Sequence, residues 1–182
     1  MIEQRANVIL LCEDRRHRTF FHRMKAKHFK HLRIFDIPLP DGKKSGEQYV
    51  RNQYPLQVES IRNKSCKYFL VTIIDADTDS VEQHYRELDQ ELVKAGQKKR
   101  GDSDPIVIFI PKRNIETWIK CLSEEAEVSE EEDYKRKVQG DDLSKAVELF
   151  YSLSLLAEEK RPPYCPDSLT RAFPEMERLR NK

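Results

Sequence analysis

Asp75, Asp77 and Asp79 stand at alternate positions directly after the apolar run Tyr68-Phe69-Leu70-Val71-Thr72-Ile73-Ile74. Side chains along a strand alternate between its faces. Acids two residues apart therefore project the same way, into the crevice beyond the C-terminal edge where open α/β sheets hold their ligands. Crowded carboxylates repel one another unless one is protonated, a basic side chain neutralises them, or a divalent cation sits between them. The three aspartates are thus candidate ligands of Mg²⁺ or Mn²⁺. Two further apolar runs end in charge: Asn7 to Cys12 leads into Glu13 and Asp14, and Ile106 to Ile110 leads through Pro111, Lys112 and Arg113 to Glu116. Three strand ends are expected to converge on one metal centre.

The charge around these acids is unevenly spread. Net charge is +1 over 182 residues, yet Glu13 to Arg33 holds eight Lys/Arg against two acids, and Ser123 to Asp133 holds seven acids and no base. A basic segment beside an acidic metal site suits a polyanionic substrate, because cations hold phosphates while the metal handles the chemistry. Arg16, Arg23 and Lys27 on the basic run are candidate nucleic-acid contacts. Lys112 and Arg113, just past a strand end, are candidates to hold the scissile phosphate, against the plainer reading of a solvated pair at a helix entry. The acidic run reads as a solvated surface excursion.

These residues need elements to position them. Val8 to Cys12, Tyr68 to Ile74 and Ile106 to Ile110 are unbroken apolar runs, which suit parallel strands covered on both faces. Arg33 to Ile37 reads as a shorter strand. Phe20, Phe21, Met24, His28 and Leu32 recur at helical spacing over Asp14 to His31; Val81, Tyr85, Leu88 and Leu92 do so after the N-cap Ser80. Pro55 within Glu47 to Asn63 predicts two short helices, or one helix starting at the proline. Asn114 caps a helix carrying Trp118, Ile119 and Leu122. Leu143 to Ala157 reads as an amphipathic helix, and a last short helix runs through Met176 and Leu179. The order predicts an α/β fold with a mostly parallel sheet flanked by helices and a C-terminal helical extension. The expected division is a catalytic unit over 1–122 and, packed on it, the acidic excursion and helices of 123–182.

Glu13 at the end of the first strand and Asp75-Ala76-Asp77 at the end of a later one resemble the TOPRIM domain of topoisomerases, bacterial primases, ribosomal-RNA maturases and OLD-family nucleases. The resemblance covers roughly residues 6–122. It implies a Rossmann-like TOPRIM fold, with Asp75 and Asp77 as Mg²⁺ or Mn²⁺ ligands and Glu13 as a further ligand or general acid/base. Asp79 matches a third acid found in several members. Glu116 resembles the additional acid of small nuclease-like members often encoded beside an ATPase. Asp14 stands where the family commonly has glycine. His17 stands where the nuclease branch has an acid, which implies a weakened second metal site, or a phosphate contact or nitrogen ligand in its place.

The expected activity is metal-dependent hydrolysis of phosphodiester bonds in DNA or RNA, in a small prokaryotic nuclease of the kind used in defence. The acidic residues Glu13, Asp75, Asp77 and Glu116, with Lys112, form the expected catalytic set. Tyr49, Tyr54 and Tyr68 are not read as topoisomerase nucleophiles, because such enzymes need a large gate structure. One rival is a non-catalytic or conditionally active subunit of a nucleic-acid complex that borrows an ATPase, since the chain has no G-x-x-x-x-G-K-[ST] motif. The other is a receiver-like phosphoacceptor domain using Asp75 and Lys112. Cys12, Cys66, Cys121 and Cys165 lack metal-ligand spacing and read as reduced thiols. No run approaches the roughly 18 apolar residues of a membrane span, so a cytoplasmic location is expected and a homo-oligomer is left open.

Overall fold

The computed structural model describes residues 6–42, 45–64 and 68–180; Cys66 lies outside them. Four strands form one sheet in the order β2-β1-β3-β4: β1 (Asn7–Cys12), β2 (Arg33–Asp36), β3 (Tyr68–Ile73) and β4 (Ile106–Phe109). Every pairing is parallel, in the register Asn7↔Arg33, Asn7↔Tyr68 and Leu70↔Ile106. Among the described residues the α-helices are α1 (Arg15–His28), α2 (Gly46–Arg62), α3 (Val81–Lys94), α4 (Ile115–Glu124), α5 (Gly140–Ser154) and α6 (Asp167–Arg180).

Alternation along the strands builds two cores. Val8, Leu10, Cys12, Phe69, Val71 and Ile73 pack against α1, α4, α5 and α6, around Phe20, Trp118, Phe150 and Phe173. Ile9, Leu11, Leu70, Ile106 and Ile108 face α2 and α3, around Tyr54, Val58, Leu88 and Leu92. Helices therefore cover both faces, which is why the strands read as continuous apolar runs. The helices α5 and α6 belong to the first core. Their residues Phe150 and Phe173 stack at 5.7 Å, and Phe150 also lies 5.9 Å from both Phe109 and Trp118.

Pro55 sits inside α2, which runs unbroken, contrary to the expectation of a break there. The missing amide forgoes one bond to the preceding turn. The buried stripe Val50, Tyr54, Val58 and Ile61 holds the helix on the sheet, and Gln97 Nε2 donates to the Pro55 carbonyl at 2.8 Å. Tertiary burial outweighs the local penalty.

The outer edge of β4 is closed by side chains. Ile108 N–H donates to Glu175 Oε2 at 3.0 Å, and Tyr85 Oη donates to the Ile108 carbonyl at 3.1 Å. Arg100 holds both oxygens of the buried Glu175 at 2.8 Å. An edge strand with its ladder groups satisfied offers no template for a further strand. Among the described residues no helix is long and apolar enough to cross a membrane.

Candidate metal centre at the sheet switch point

The chain passes from β1 out to β2 and returns across β1 to β3, so the strand order reverses between β1 and β3. At such a point the connections leave in opposite directions and open a crevice beyond the C-terminal strand ends. Glu13 follows β1 and Asp75 follows β3 at this crevice. Their junction is tight: the Asp75 N–H donates to Glu13 Oε2 at 2.5 Å.

Strand alternation persists just past β3. Ile74 and Ala76 enter the α2/α3 core, so Asp75 projects to the opposite face, toward α1. There it meets His17, fully buried on the first turn of α1, whose Nε2 lies 2.8 Å from Asp75 Oδ1. The position of His17 follows from Asp14, whose carboxylate caps α1 by accepting the His17 N–H at 2.9 Å. His84 of α3 reaches Asp75 from the other face and donates from Nε2 to the Asp75 carbonyl at 3.0 Å. Asp75 is thus held at its amide, carboxylate and carbonyl by three different elements.

One ligand atom each from Glu13, His17 and Asp75 fall within 4.8 Å of one another. Burial, reinforced by the Asp75 charge, pushes Glu13 up to about 7. Burial works against a charged His17, but the charge and hydrogen bond of Asp75 outweigh it and raise the imidazole to about 9. Burial also raises the Asp75 carboxyl, a rise that His17 opposes. The two titrate as a unit, and at neutral pH we assign their shared proton to His17, because the contact at 2.8 Å rewards the ion pair.

A cleft of about 430 Å³ opens over these groups, lined among others by Glu13, Asp14, Arg15, Asp75, Asp77 and Lys135. Asp77 reaches it by a different route from simple alternation. The strand has ended at Ile73, and Asp77 adopts a left-handed backbone, φ 47°, bridged to Arg113, which is also left-handed at φ 68°. The expectation that three acids project alike therefore holds for neither of the last two as a strand property. Asp79 is exposed in the turn that follows and is not among the cleft's lining residues. Lys112 Nζ donates to the carbonyls of Thr78 and Asp79, at 3.0 and 2.6 Å, and so clamps that turn.

The remaining candidates are not among the cleft's lining residues. Glu116, on the first turn of α4 and 6% exposed, accepts from Arg16 Nε at 3.1 Å. Arg23 donates to Ser144 Oγ at 2.8 Å, and Lys27 to the Ser144 carbonyl and Glu148, both at 3.2 Å. Two cations of the basic face of α1 are thus engaged with α5. His22 pairs with Asp36 at 2.9 Å, and His28 stacks on Tyr151 at 4.0 Å.

Sequence reasoning missed two contributors. Gly46 opens α2 directly against Glu13: a Cβ there would lie 3.0 Å from the Glu13 Cβ and 3.2 Å from its Oε1. A glycine one residue after the N-cap Ser45 was the available signal for this close approach. Lys135 comes from the acidic excursion, and no local pattern marks it. Asp133 Oδ1 accepts from both Asn114 Nδ2 at 3.0 Å and Lys135 N–H at 2.9 Å, while the buried Tyr134 anchors the turn.

The oxygen donors of Glu13 and Asp75, with Asp77 on the same cleft, fit a hard divalent cation; the protonated His17 acts on Asp75 and is not a ligand. A second group, Glu47, His84 and Glu87, also comes within 4.8 Å, but Arg51 already bonds both of its carboxylates. Comparison with known proteins returns no match to a family model, a curated protein or a solved structure.

Proposed function

We propose that this chain is a metal-dependent nuclease that hydrolyses phosphodiester bonds in the manner of the TOPRIM domains it resembles. The observation that carries this reading is the meeting of Glu13 and Asp75, from separate strand ends at the switch point, with Asp77 on the same cleft. Neighbouring carboxylates repel unless a positive charge joins them; His17 supplies one on Asp75, while burial first, and the Asp75 charge second, raise Glu13 to about 7.

Glu13, Asp75 and Asp77 would hold Mg²⁺ or Mn²⁺. When bound, the cation stabilises charge on the phosphoryl oxygens and makes water nucleophilic near neutral pH. His17 orients the Asp75 carboxylate through Oδ1 and leaves Oδ2 for the cleft. Glu13 uses Oε2 on the Asp75 amide; Oε1 is left to bind the cation or to accept the proton of the attacking water. A carboxyl near 7 is matched to general acid/base work at neutral pH.

The contact between His17 and Asp75 also favours a conditionally active form, in which a partner such as an ATPase displaces α1 and frees Oδ1. A receiver-like phosphoacceptor is less well supported, because the Lys112 ammonium is engaged with the Thr78 and Asp79 carbonyls. The test is calorimetric titration with Mn²⁺ alongside cleavage of labelled DNA and RNA. Wild type is expected to bind and cleave, and Asp77→Asn and Glu13→Gln to lose at least tenfold in affinity and about a hundredfold or more in rate. Unchanged Mn²⁺ affinity in both variants overturns the reading.

A further inference from the structure

Two cations at the strand ends are already spent. Arg16 is paired with Glu116 and Lys112 with two carbonyls. Arg15 and Lys135 line the same cleft as the carboxylates, and both are exposed. Among the described residues no hydrogen bond or ion pair is shown for the guanidinium of Arg15 or the ammonium of Lys135. Lys135 is nevertheless fixed in place, since its own amide is held by Asp133, which in turn is held by the buried Asn114. Its charge is felt at Asp75.

The two cations come from distant parts of the chain. Arg15 is the first residue of α1, whereas Lys135 sits in the loop before α5. Their convergence on one cleft answers to no hydrogen bond or ion pair of either side chain among the described residues. A cleft with carboxylates at its floor and unspent cations at its rim matches a phosphodiester: the floor takes the metal and the rim takes the non-bridging oxygens of the backbone.

We propose that Arg15 and Lys135 form the phosphate-binding rim of the site and grip the sugar-phosphate backbone of a nucleic acid. This assignment rests on the nuclease reading above. It makes the segment between α4 and α5 a substrate-binding arm, delivered to the site by the Asn114–Asp133 bond.

The experiment compares wild type, Lys135→Ala, Lys135→Arg and Arg15→Ala. Binding of single-stranded DNA and RNA oligonucleotides is measured across roughly 50 to 200 mM salt, with Mn²⁺ titrated separately by calorimetry. Lys135→Ala is expected to weaken oligonucleotide binding about five- to tenfold and flatten the log–log salt slope by roughly 0.7 to 0.9. Its Mn²⁺ affinity stays equal or rises, since a competing positive charge has gone. Lys135→Arg restores both affinity and slope, and Arg15→Ala repeats the alanine result. Wild-type affinity and slope in both alanine variants overturn the proposal, as does a wild-type protein that binds Mn²⁺ but no oligonucleotide. A Lys135→Ala variant that only tightens Mn²⁺ binding also overturns it, showing that Lys135 is a counter-ion to the acids. Absence of Mn²⁺ binding by wild type counts against the metal-centre reading alone, because the salt slopes still report on the rim.

Discussion

His17 Nε2 and Asp75 Oδ1 meet at 2.8 Å with the imidazole fully buried, which couples the first turn of α1 to the end of β3. A carboxylate committed in this way has a structural role as well as a chemical one. Asp75→Asn is therefore expected to differ from Asp77→Asn. Asparagine at 75 keeps an acceptor but removes the charge that balances His17, at a cost of about 1–3 kcal/mol. Asp77 is exposed, so Asn there should change stability by less than about 0.5 kcal/mol. Denaturant unfolding without metal checks this; equal stabilities would show that the His17 contact contributes nothing.

Stability of the metal-free protein should fall across the neutral range. Glu13 is raised to about 7 from an unfolded value of roughly 4.3; it favours folding while protonated, so stability declines as pH rises between those values. His17 is raised to about 9. Its contribution is complete below roughly 6.5 and is lost as pH rises through the folded value. Two successive declines are thus expected in melting temperature between roughly pH 4 and 9. Saturating Mn²⁺ should abolish the first, because the cation binds the ionised Glu13. A melting temperature independent of pH without metal would count against the burial of this carboxyl.

Gly46 should resist substitution. The Cβ of Gly46→Ala would press on the Cβ, backbone carbonyl and Oε1 of Glu13 at 3.0 to 3.2 Å, so a cleft residue must shift backbone as well as side chain. We expect a loss of about 1–2 kcal/mol and weaker Mn²⁺ binding. Gly140→Ala, which meets nothing within 4 Å at the start of α5, should be neutral or slightly stabilising. Chemical denaturation of the two variants side by side makes the comparison, and a tolerated Gly46→Ala would show that α2 can retreat from the site.

Glu116→Gln separates a brace from a catalytic acid. Glu116 is nearly buried against Arg16 at 3.1 Å, so removing its charge should cost about 1–2 kcal/mol while leaving Mn²⁺ affinity unchanged. Cleavage rates should fall less than tenfold. A stable variant that has lost about a hundredfold in rate would instead place Glu116 at the reacting atoms.

The sequence by itself determined the sheet and which charged residues gather at one of its edges. Unbroken apolar runs marked β1, β3 and β4 as doubly covered strands, and the charges directly behind them had to emerge together once those strands ran parallel. Strand alternation even placed Asp75 on its correct face. What lay beyond the last strand residue was decided by tertiary structure. Asp77 turns left-handed against Arg113 and Lys112 clamps the turn of Asp79, because period-two geometry ends where the ladder ends. His17 read as a phosphate contact or a nitrogen ligand, and only the docking of α1 beside β3 buried it against Asp75. Lys135 and Gly46 carried no chemical pattern of their own. Their roles arise from contacts between segments far apart in the chain, Asn114 with Asp133 and Glu13 with α2, and such contacts form only when the helices close over the sheet.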